Sequence, residues 1–526
     1  MKKTLVIRMG AIGDVILASP AVLNLKISYP ESRLFFLTRH NLVPLVGRMA
    51  GVDEVLEFPT RASAHDLFRM GEYLDTLGLD SIIDLHGNIR SKYLLKHVAA
   101  GTKVQYHKRR LQRFFSVRLK KIYPDIPHTI DLYNGAVEKV GGRVYARRPV
   151  IRPTRENRAT LKFAAAEPVV AIAPGASYPT KQWFPDRFGK LAVELFKQLS
   201  ASIVMIIPDR DMEYEKLGQQ IPHEKLETMI NTDLPSLADI IEQCDLMICN
   251  DSGLSHLAGA VGTPVIALFG PTHPVLGFGP RGLRDTVIDV DEPCRPCSLH
   301  GKRACYRDER YCFSRIEVGD VFTVATEKLD AGVKGTAAIF VDRDGTLIKE
   351  KGYISSPDDV EPERNSTVAV KKAAAAGFKV IGLSNQSGIA RGYFDTATAE
   401  KVNARTIELF AARGAPIEEI LFCPHHPRGN IPEFGVECDC RKPHAGLVET
   451  AALKYDINPF RSWVIGDKLT DVQLAYTTGG RGILVRTGFG RAEEDRLHTE
   501  PGLAPETVAD NLHAAVEYIT RQSSGE

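Results

Sequence analysis

The strongest constraint on the fold of this chain is a repeated alternation of short apolar runs with longer stretches of helical length. The runs include TLVIRM, RLFFLT, SIIDLHG, VVAIAPG, SIVMIIP, LMICND and PVIALFG. Fully buried strands of parallel sheets read as such runs, and the stretches between them suit crossover helices. The sequence therefore predicts an α/β fold built on parallel sheets.

The alternation stops between Cys294 and Cys312 and resumes after a helix-like stretch to Asp330 and a small-residue linker, Ala331 to Thr336. A second series then opens with AAIFVDRDG and continues through FKVIGLSNQ, ILFCPHH, SWVIGDK and GILVRTG. The 526 residues exceed the roughly 250–300 at which one hydrophobic core stops growing. We predict three domains, 1–155, 156–332 and 336–522, with the first boundary in RRPVIRPTREN.

Composition and charge favour a folded cytoplasmic protein. The chain is 44% hydrophobic and 25% charged, and its net charge of +2 gives no global attraction to nucleic acid. Arg8 and Asp14 interrupt the first apolar run before it reaches signal-peptide length, and no run approaches the roughly 18 apolar residues of a membrane span. Seven of the nine cysteines fall in two clusters with metal-ligand spacing, which favours a reducing compartment.

The motif VDRDGTLI places two carboxylates, Asp342 and Asp344, directly after an apolar run. Two acids at this spacing can serve one metal-centred site, although acidic residues also occur in ordinary turns after strands. Three further parts follow in order: SNQ, CRKP, and a GDK turn with Asp471. Together they resemble the haloacid dehalogenase (HAD) superfamily across residues 337–490.

That resemblance implies a role for each matched residue. Asp342 would be the nucleophile that forms an aspartyl-phosphate, and Asp344 would protonate the leaving oxygen and later activate water. Ser384, where the family often has Thr, would hydrogen-bond the phosphoryl group, and Lys442 would neutralise its charge. Asp342, Asp467 and the carbonyl of Asp344 would hold Mg²⁺, which prefers hard oxygen ligands.

A Cys/His cluster follows in FCPHHPRGNIPEFGVECDCRKP. Three thiolates and one imidazole suit tetrahedral Zn²⁺, and a site closed by four protein ligands is structural. His426 is the alternative to the histidine ligand, and the alternative to the whole site is free thiols in a loop. The predicted ligands are Cys423, His425, Cys438 and Cys440.

Two families share this zinc pattern, the D-glycero-D-manno-heptose 1,7-bisphosphate phosphatases and the histidinol-phosphate phosphatases. The chain resembles the first family more closely in the Cys/His cluster, DRDGT and SNQSGIARGYF taken together. Histidinol-phosphate enzymes typically carry an acid where Ser387 stands, as a cationic substrate would favour. Here the loop offers Arg391, which suits an anionic sugar phosphate, although it can also be a surface charge. With Asn385 and Arg441 it completes the predicted substrate-binding set of this domain.

Two motifs in the first 330 residues indicate a second activity. RMGAIGDVILASP has Gly10 and Gly13 around a strand-to-helix turn with Asp14 at the helix start, a pattern that an ordinary tight turn also gives. Further on, Asp251, Ser252, Gly253, Ser255 and His256 stand between a strand and a helix in CNDSGLSHLAGAVGTPVIALFGPT. These motifs resemble the heptosyltransferase family (glycosyltransferase family 9), and the resemblance extends over most of residues 1 to about 325.

The resemblance implies two facing Rossmann-like domains, the arrangement called GT-B, with chemistry in the cleft and no need of a metal. Asp14 would deprotonate the acceptor hydroxyl, and backbone amides around Ser252 and Gly253 would cradle the donor pyrophosphate. Lys181 would balance charge on the departing nucleoside diphosphate, unless it is a solvated neighbour of Trp183. Two further predicted donor-site residues, Asp251 and His256, can instead be capping and packing residues.

The segment HKRRLQRFFSVRLKK, residues 107–121, packs seven Lys/Arg around Phe114 and Phe115. Such a run is usually a solvated helix face, and its alternative is a surface for a phosphorylated lipid acceptor or an anionic membrane. The family resemblance implies inner-core lipopolysaccharide as the acceptor.

A second cysteine tetrad has the pattern C-x-x-C with wider gaps after it. It fits structural zinc, an iron–sulfur cluster, or four reduced thiols. Its members are Cys294, Cys297, Cys305 and Cys312.

The combined prediction is a bifunctional enzyme of lipopolysaccharide heptose metabolism at the inner membrane surface. The C-terminal domain would remove the 7-phosphate of a heptose 1,7-bisphosphate, and the N-terminal region would transfer heptose from ADP-heptose to a glycolipid. The step between them, which adds the nucleotide, has no counterpart in this chain. The alternatives are other sugar bisphosphates or histidinol phosphate, another nucleotide sugar, and a non-catalytic binding module in the N-terminal half.

Overall fold

The computed structural model describes residues 2–123, 125–154, 158–163, 167–208, 220–330, 335–499 and 502–524. It divides into two compact units, residues 1–25 with 32–334 and residues 26–31 with 335–526. Residues 155–157, at the first predicted boundary, and 331–334, in the predicted linker, lie outside the described residues. The three predicted domain ranges therefore stay predictions.

The first sheet has five parallel strands in the order β3-β2-β1-β4-β5. Beyond Lys3, every residue of the central strand is buried, as in sheets covered on both faces. The strands are β1 (Lys3–Ile7), β2 (Arg33–Arg39), β3 (Glu54–Phe58), β4 (Ser81–Asp84) and β5 (Thr102–Gln105). The helices are α1 (Ile12–Ile16), α2 (Ser19–Ser28), α3 (Val43–Val46), α4 (Ala64–Thr76), α5 (Ile89–His97), α6 (Arg110–Leu119) and α7 (Thr129–Lys139).

The second sheet belongs to the same unit and has six parallel strands in the order β11-β10-β9-β6-β7-β8. Its strands are β6 (Val169–Ala173), β7 (Ser202–Ile207), β8 (Leu226–Ile230), β9 (Leu246–Asn250), β10 (Val265–Leu268) and β11 (Thr286–Ile288). The described helices are α8 (Pro185–Leu199), α9 (Leu234–Gln243), α10 (Gly253–Ala260), α11 (Tyr311–Ser314) and α12 (Val318–Asp330).

The third sheet forms the second unit and has six parallel strands in the order β14-β13-β12-β15-β16-β17. Its strands are β12 (Ala338–Asp342), β13 (Lys379–Asn385), β14 (Glu419–Cys423), β15 (Trp463–Gly466), β16 (Arg481–Val485) and β17 (Thr507–Ala509). The helices are α13 (Ser366–Ala375), α14 (Ser387–Arg391), α15 (Thr396–Ala411), α16 (Gly446–Lys454), α17 (Leu469–Thr478), α18 (Gly490–Thr499) and α19 (Leu512–Ser524).

The predicted α/β class with parallel sheets is confirmed, and its topology explains where the site residues lie. In such sheets ligands bind beyond the carboxyl ends of strands, at the point where the strand order reverses. Asp342 ends β12, Asp467 follows β15, and Asp251 follows β9. None of the described helices combines the length and apolar character that a bilayer span requires.

Candidate active sites

A group of three buried carboxylates lies at the carboxyl edge of the third sheet. Asp342, Asp467 and Asp471 each bring one carboxylate oxygen within 4.8 Å of the others. Lys442 reaches this group: its Nζ contacts the Asp342 carboxylate, lies 2.6 Å from Asp471 Oδ1 and donates to the Leu383 carbonyl at 3.1 Å. Strands β12, β13 and β15 thus bring residues more than a hundred positions apart into one acidic site that Lys442 enters.

The electrostatics of this group favour a bound cation. Burial raises the pKa of the Asp342 carboxyl well above its ordinary range, while Lys442 opposes that rise. Burial also raises the pKa of Asp467 to about 6. Asp467 Oδ1 is buried and has no hydrogen-bond partner among the described residues. An orphaned carboxylate oxygen beside two further acids is the donor set that Mg²⁺ prefers, so these residues fit the predicted ion.

Lys442 remains charged in this setting. Burial lowers the pKa of its ammonium group, but the charges of Asp342 and Asp471 outweigh this, so the pKa lies above its ordinary value. Asn385 fixes its backbone, since Asn385 Oδ1 accepts from the Lys442 N–H at 3.0 Å and Asn385 Nδ2 donates to the Lys442 carbonyl at 3.2 Å. Asn385 therefore positions the lysine in this structure, and its predicted contact with the substrate stays a prediction.

The side chain of Asp344 is held apart from the carboxylate group by donors that sequence reasoning missed. The buried Arg343 donates to Asp344 from Nε at 3.1 Å and from Nη2 at 2.9 Å. Gln386 Nε2 donates to Asp344 Oδ2 and to Ser384 Oγ, both at 2.7 Å, and Ser384 Oγ lies 3.3 Å from Asp344 Oδ2. The predicted acid–base residue and the predicted phosphoryl-binding hydroxyl therefore share one network.

The four predicted zinc ligands converge in the structure, with all four ligand atoms within 4.8 Å of one another. The sulfur atoms of Cys423, Cys438 and Cys440 lie 3.2–3.5 Å apart, and His425 Nδ1 lies 3.3 Å from Cys440 Sγ. His426 Nδ1 instead accepts from the Arg428 N–H at 3.1 Å. Three thiols and one imidazole in this arrangement fit Zn²⁺.

A basic rim surrounds the cysteine loop. Arg441 donates to the His425 carbonyl at 3.1 Å. The Ile431 N–H donates to the Ala390 carbonyl at 3.0 Å, and this bond connects the loop to α14. Desolvation, and then the charges of Arg441, Arg391 and Arg428, lower the pKa of His426. Arg391 Nε is buried without a partner among the described residues. These guanidinium groups give the rim the positive charge that a second phosphate would require.

The predicted transferase residues of the first unit line a cavity of about 380 Å³. Asp14 lies in the first turn of α1, where its carboxylate pairs with the buried Arg8, which also donates to the Leu85 carbonyl at 2.8 Å. Asp14 also lines a neighbouring cavity of about 630 Å³ whose wall carries Arg110 and Arg113. Asp14 therefore lines both cavities, and its predicted role as the base stays a prediction.

The predicted donor-site residues line the same cavity of about 380 Å³. Asp251 accepts from Lys181 Nζ at 2.7 Å and from Thr272 Oγ1 at 2.6 Å, so it is neither solvated nor a helix cap. Ser252 precedes the first residue of α10, and its Oγ is buried without a hydrogen-bond partner among the described residues. Burial lowers the pKa of His256.

Two glycines let α1 and α10 approach each other closely. A Cβ on Gly13 would lie 2.8 Å from His256 Cδ2, and a Cβ on Gly253 would lie 3.1 Å from Ile12 Cβ. The turn RMGAIGD and the motif DSGLSH therefore meet at one point of the fold. Their separation of more than 230 residues gives no hint of this contact in the sequence.

The second cysteine tetrad does not form a comparable group. Within the described ranges, which include all four cysteines, only the two groups above bring three or more ligand atoms within 4.8 Å. Cys305 is exposed, and its thiol lies 3.7 Å from the Glu309 carbonyl. The four thiols thus lie farther apart in this structure than those of the Cys423 cluster, and the metal site predicted for this tetrad stays a prediction.

Comparison with known proteins agrees with both regions. The model of glycosyltransferase family 9 (heptosyltransferase) matches residues 67–306, and a HAD-hydrolase-like model matches residues 439–515. The D-glycero-beta-D-manno-heptose-1,7-bisphosphate 7-phosphatase of Escherichia coli K12 is 40% identical over 156 residues, which are 30% of this chain and 82% of that protein.

Two further relatives extend the comparison. The D-glycero-D-manno-heptose-1,7-bisphosphate 7-phosphatase of Thermosynechococcus vestitus is 39% identical over 189 residues, 35% of this chain and 94% of that protein. The family 9 glycosyl transferase structure from Veillonella parvula is 21% identical, covers 62% of this chain and 97% of its own, and has a TM-score of 0.50, a likeness of fold.

The fold and sites define an enzyme that joins a family 9 glycosyltransferase region to a HAD-type phosphatase region. Through the second region the chain belongs to the heptose 1,7-bisphosphate 7-phosphatase family, whose members it matches over more than four fifths of their length.

Proposed function

We propose that the second unit removes the 7-phosphate of D-glycero-D-manno-heptose 1,7-bisphosphate and leaves the sugar 1-phosphate. The observation that carries the proposal is the buried group of Asp342, Asp467 and Asp471 around Lys442. The activity of the relatives at about 40% identity supports the substrate.

In this mechanism an Asp342 oxygen attacks phosphorus, and the bond between phosphorus and the C7 oxygen breaks. Asp344 protonates that oxygen, then takes a proton from the water that hydrolyses the aspartyl-phosphate. Ser384 and Lys442 hold the phosphoryl oxygens. Mg²⁺, bound by Asp342, Asp467 and the carbonyl of Asp344, would supply the additional positive charge that phosphoryl transfer requires.

The basic rim supports a substrate with a second phosphate. Arg441 directly follows the cysteine loop, and Arg391 ends α14, to which the loop is hydrogen-bonded. The Nε–H of Arg391 has no hydrogen-bond partner among the described residues. Ser387 adds no negative charge at the start of α14, where a cationic amine would need one. The rim therefore favours a sugar bisphosphate over histidinol phosphate.

Zinc at the Cys423 cluster would be structural in this account. It would hold the loop from Cys423 to Cys440 and so place Arg441 and Lys442, which follow directly in sequence. The arrangement gives the ion no open position for substrate, because four protein ligands complete a tetrahedral shell.

For the first unit we infer heptosyl transfer from ADP-heptose to a phosphorylated glycolipid of the lipopolysaccharide core, at the cytoplasmic face of the inner membrane. Asp14 would accept the proton of the attacking hydroxyl as the bond between the anomeric carbon and the diphosphate breaks. The backbone amides at the start of α10 would hold the diphosphate, whose charge Lys181 would balance. The family model over residues 67–306 supports this assignment.

Phosphate release across a panel of sugar bisphosphates and histidinol phosphate tests the phosphatase, with Asp342→Asn as the blank. We expect strong preference for heptose 1,7-bisphosphate, lost in the variant. Preference for histidinol phosphate would contradict the proposed substrate.

For the transferase, Asp14→Asn should abolish transfer and leave nucleotide binding in place, and unchanged transfer would contradict the role of Asp14.

A further inference from the structure

Helix α6 presents its large apolar side chains to solvent. Leu111 is 73% exposed, Phe114 59%, Phe115 47% and Leu119 58%. Their spacing of three, four and eight residues puts them on one face of the helix. Ile122, 44% exposed, follows the helix and extends the same apolar stripe.

The inward side of α6 is polar. Arg113 is buried, donates to Thr129 Oγ1 at 3.2 Å, and its guanidinium lies 4.8 Å from the centre of the Phe278 ring. Ser116 is buried as well, and its hydroxyl donates to the Lys121 carbonyl. A surface helix normally buries its apolar face against the core, so α6 is inverted relative to that rule.

Positive charge flanks the apolar stripe at both ends. Residues 107–123 contain no acidic residue. Three cations, Lys108, Arg109 and Arg110, stand at the start of α6, and three more, Arg118, Lys120 and Lys121, stand at its end. An exposed apolar stripe between basic clusters is the pattern of a helix that lies in a membrane interface.

We propose that this face of α6 docks the protein on an anionic phospholipid surface. Charge complementarity selects this occupant, since the cations attract anionic headgroups while the aromatic and leucine side chains enter the acyl boundary. The same helix lines the cavity that contains Asp14, through Arg110, Arg113 and Phe114. An acceptor anchored in that membrane would thus reach the predicted base, so the inference rests on the proposed transferase function.

Sedimentation of the full chain with vesicles tests the proposal. The probes are phosphatidylcholine vesicles with and without phosphatidylglycerol, at low and high salt. The apolar variant is Phe115→Ser with Leu119→Ser, since neither side chain lines either cavity at Asp14. Phe68→Ser on α4, 52% exposed, is the matched control, and Arg118→Glu with Lys121→Glu tests the charge.

We expect binding that requires phosphatidylglycerol, weakens with salt, and falls about tenfold or more in the apolar and charge variants but not in Phe68→Ser. Unchanged binding in the apolar variant would overturn the proposal. Vesicle binding only when the glycolipid acceptor is added would also overturn it, because the face would then bind the acceptor itself. Loss of a self-associated form in the apolar variant would overturn it as well, because the face would then bind a second copy of the chain. Transfer to a water-soluble acceptor, measured in parallel, reports on the proposed function alone.

Discussion

At the scale of single residues, the phosphatase site depends on contacts that hold the reacting groups as well as on those groups. Asp471 shares Lys442 with Asp342, Asn385 fixes the lysine backbone, and Arg343 fixes Asp344. The motif VDRDGTLI predicted the two acids, because their spacing after an apolar run is visible locally. The role of Arg343 could not be predicted, because a charged residue in that position reads as solvated until burial is known.

Asp471→Asn is expected to lower phosphatase kcat and the affinity for Mg²⁺ by about 10- to 100-fold. The change removes one of the two carboxylates that hold the Lys442 ammonium and one acid of the buried group. A Mg²⁺ titration of initial rates measures both effects. Asp358→Asn, an exposed acid in the same unit, is the control, and equal Mg²⁺ dependence of the two variants would contradict the prediction.

At the scale of elements, the central strands were predictable and the edges were not. The apolar runs read from the sequence correspond to central strands and to β14. No apolar run was read for five other strands, each of which lies at the edge of a sheet: β3, β5, β8, β11 and β17. Edge strands are short or carry polar residues, as EVLEF and TKVQ do, so they lack the continuous apolar signal.

The cap of α7 predicts a pH dependence. His128 Nδ1 accepts from the Ile130 N–H at 3.2 Å and its Nε2 contacts the Gly279 carbonyl at 2.9 Å, so the neutral ring is required. Burial lowers the pKa of His128 from 6.5 to about 3. Between these values the unfolded chain binds more protons than the folded chain. The folding stability linked to His128 is therefore complete above pH 6.5 and is lost as pH falls toward 3.

His128→Asn keeps a residue that caps helices well and removes this titration. Relative to the variant, the wild-type free energy of unfolding should fall by up to about 1.4 kcal/mol per pH unit below pH 6.5. Denaturant unfolding at several pH values measures the difference. His223→Asn, at an exposed position, is the control, and a constant difference between wild type and His128→Asn at all pH values would refute the linkage.

The cysteine loop predicts a second effect at this scale. Cys438→Ser should release zinc, lower the melting temperature of the second unit and reduce phosphatase activity, because the loop places Arg441 and Lys442. Cys305→Ser, in the tetrad that does not converge, should change none of these. Metal analysis with calorimetry measures both variants. Zinc content that follows Cys305 instead of Cys438 would contradict the assignment.

At the scale of the whole molecule, the two candidate active sites belong to separate compact units of one chain. The break in the α/β alternation predicted more than one unit, since no single core extends over 526 residues. The net charge of +2 is small because acidic and basic residues nearly balance over the chain, while the basic residues of α6 and of the phosphatase rim are concentrated locally. Anionic partners are therefore expected at particular surfaces.

Separate sites predict separable activities. In the full chain, Asp342→Asn should abolish phosphate release and leave heptosyl transfer unchanged, and Asp14→Asn should do the reverse. The reason is that Asp342 would act only on the substrate of the second unit, and Asp14 only on the substrates of the first. Paired assays on both variants measure this, and loss of both activities in one correctly folded variant would show that the sites depend on each other.

The most direct test of the central claim is the position of the phosphate that remains after turnover. Phosphorus NMR of heptose 1,7-bisphosphate incubated with the full chain and Mg²⁺ resolves the two phosphates. We predict that the 7-phosphate signal disappears, that free phosphate appears, and that the 1-phosphate stays on the sugar. With the Asp342→Asn variant, both phosphate signals of the sugar should remain unchanged. Loss of the 1-phosphate first, or no turnover by the wild-type chain, would contradict the assignment of this site.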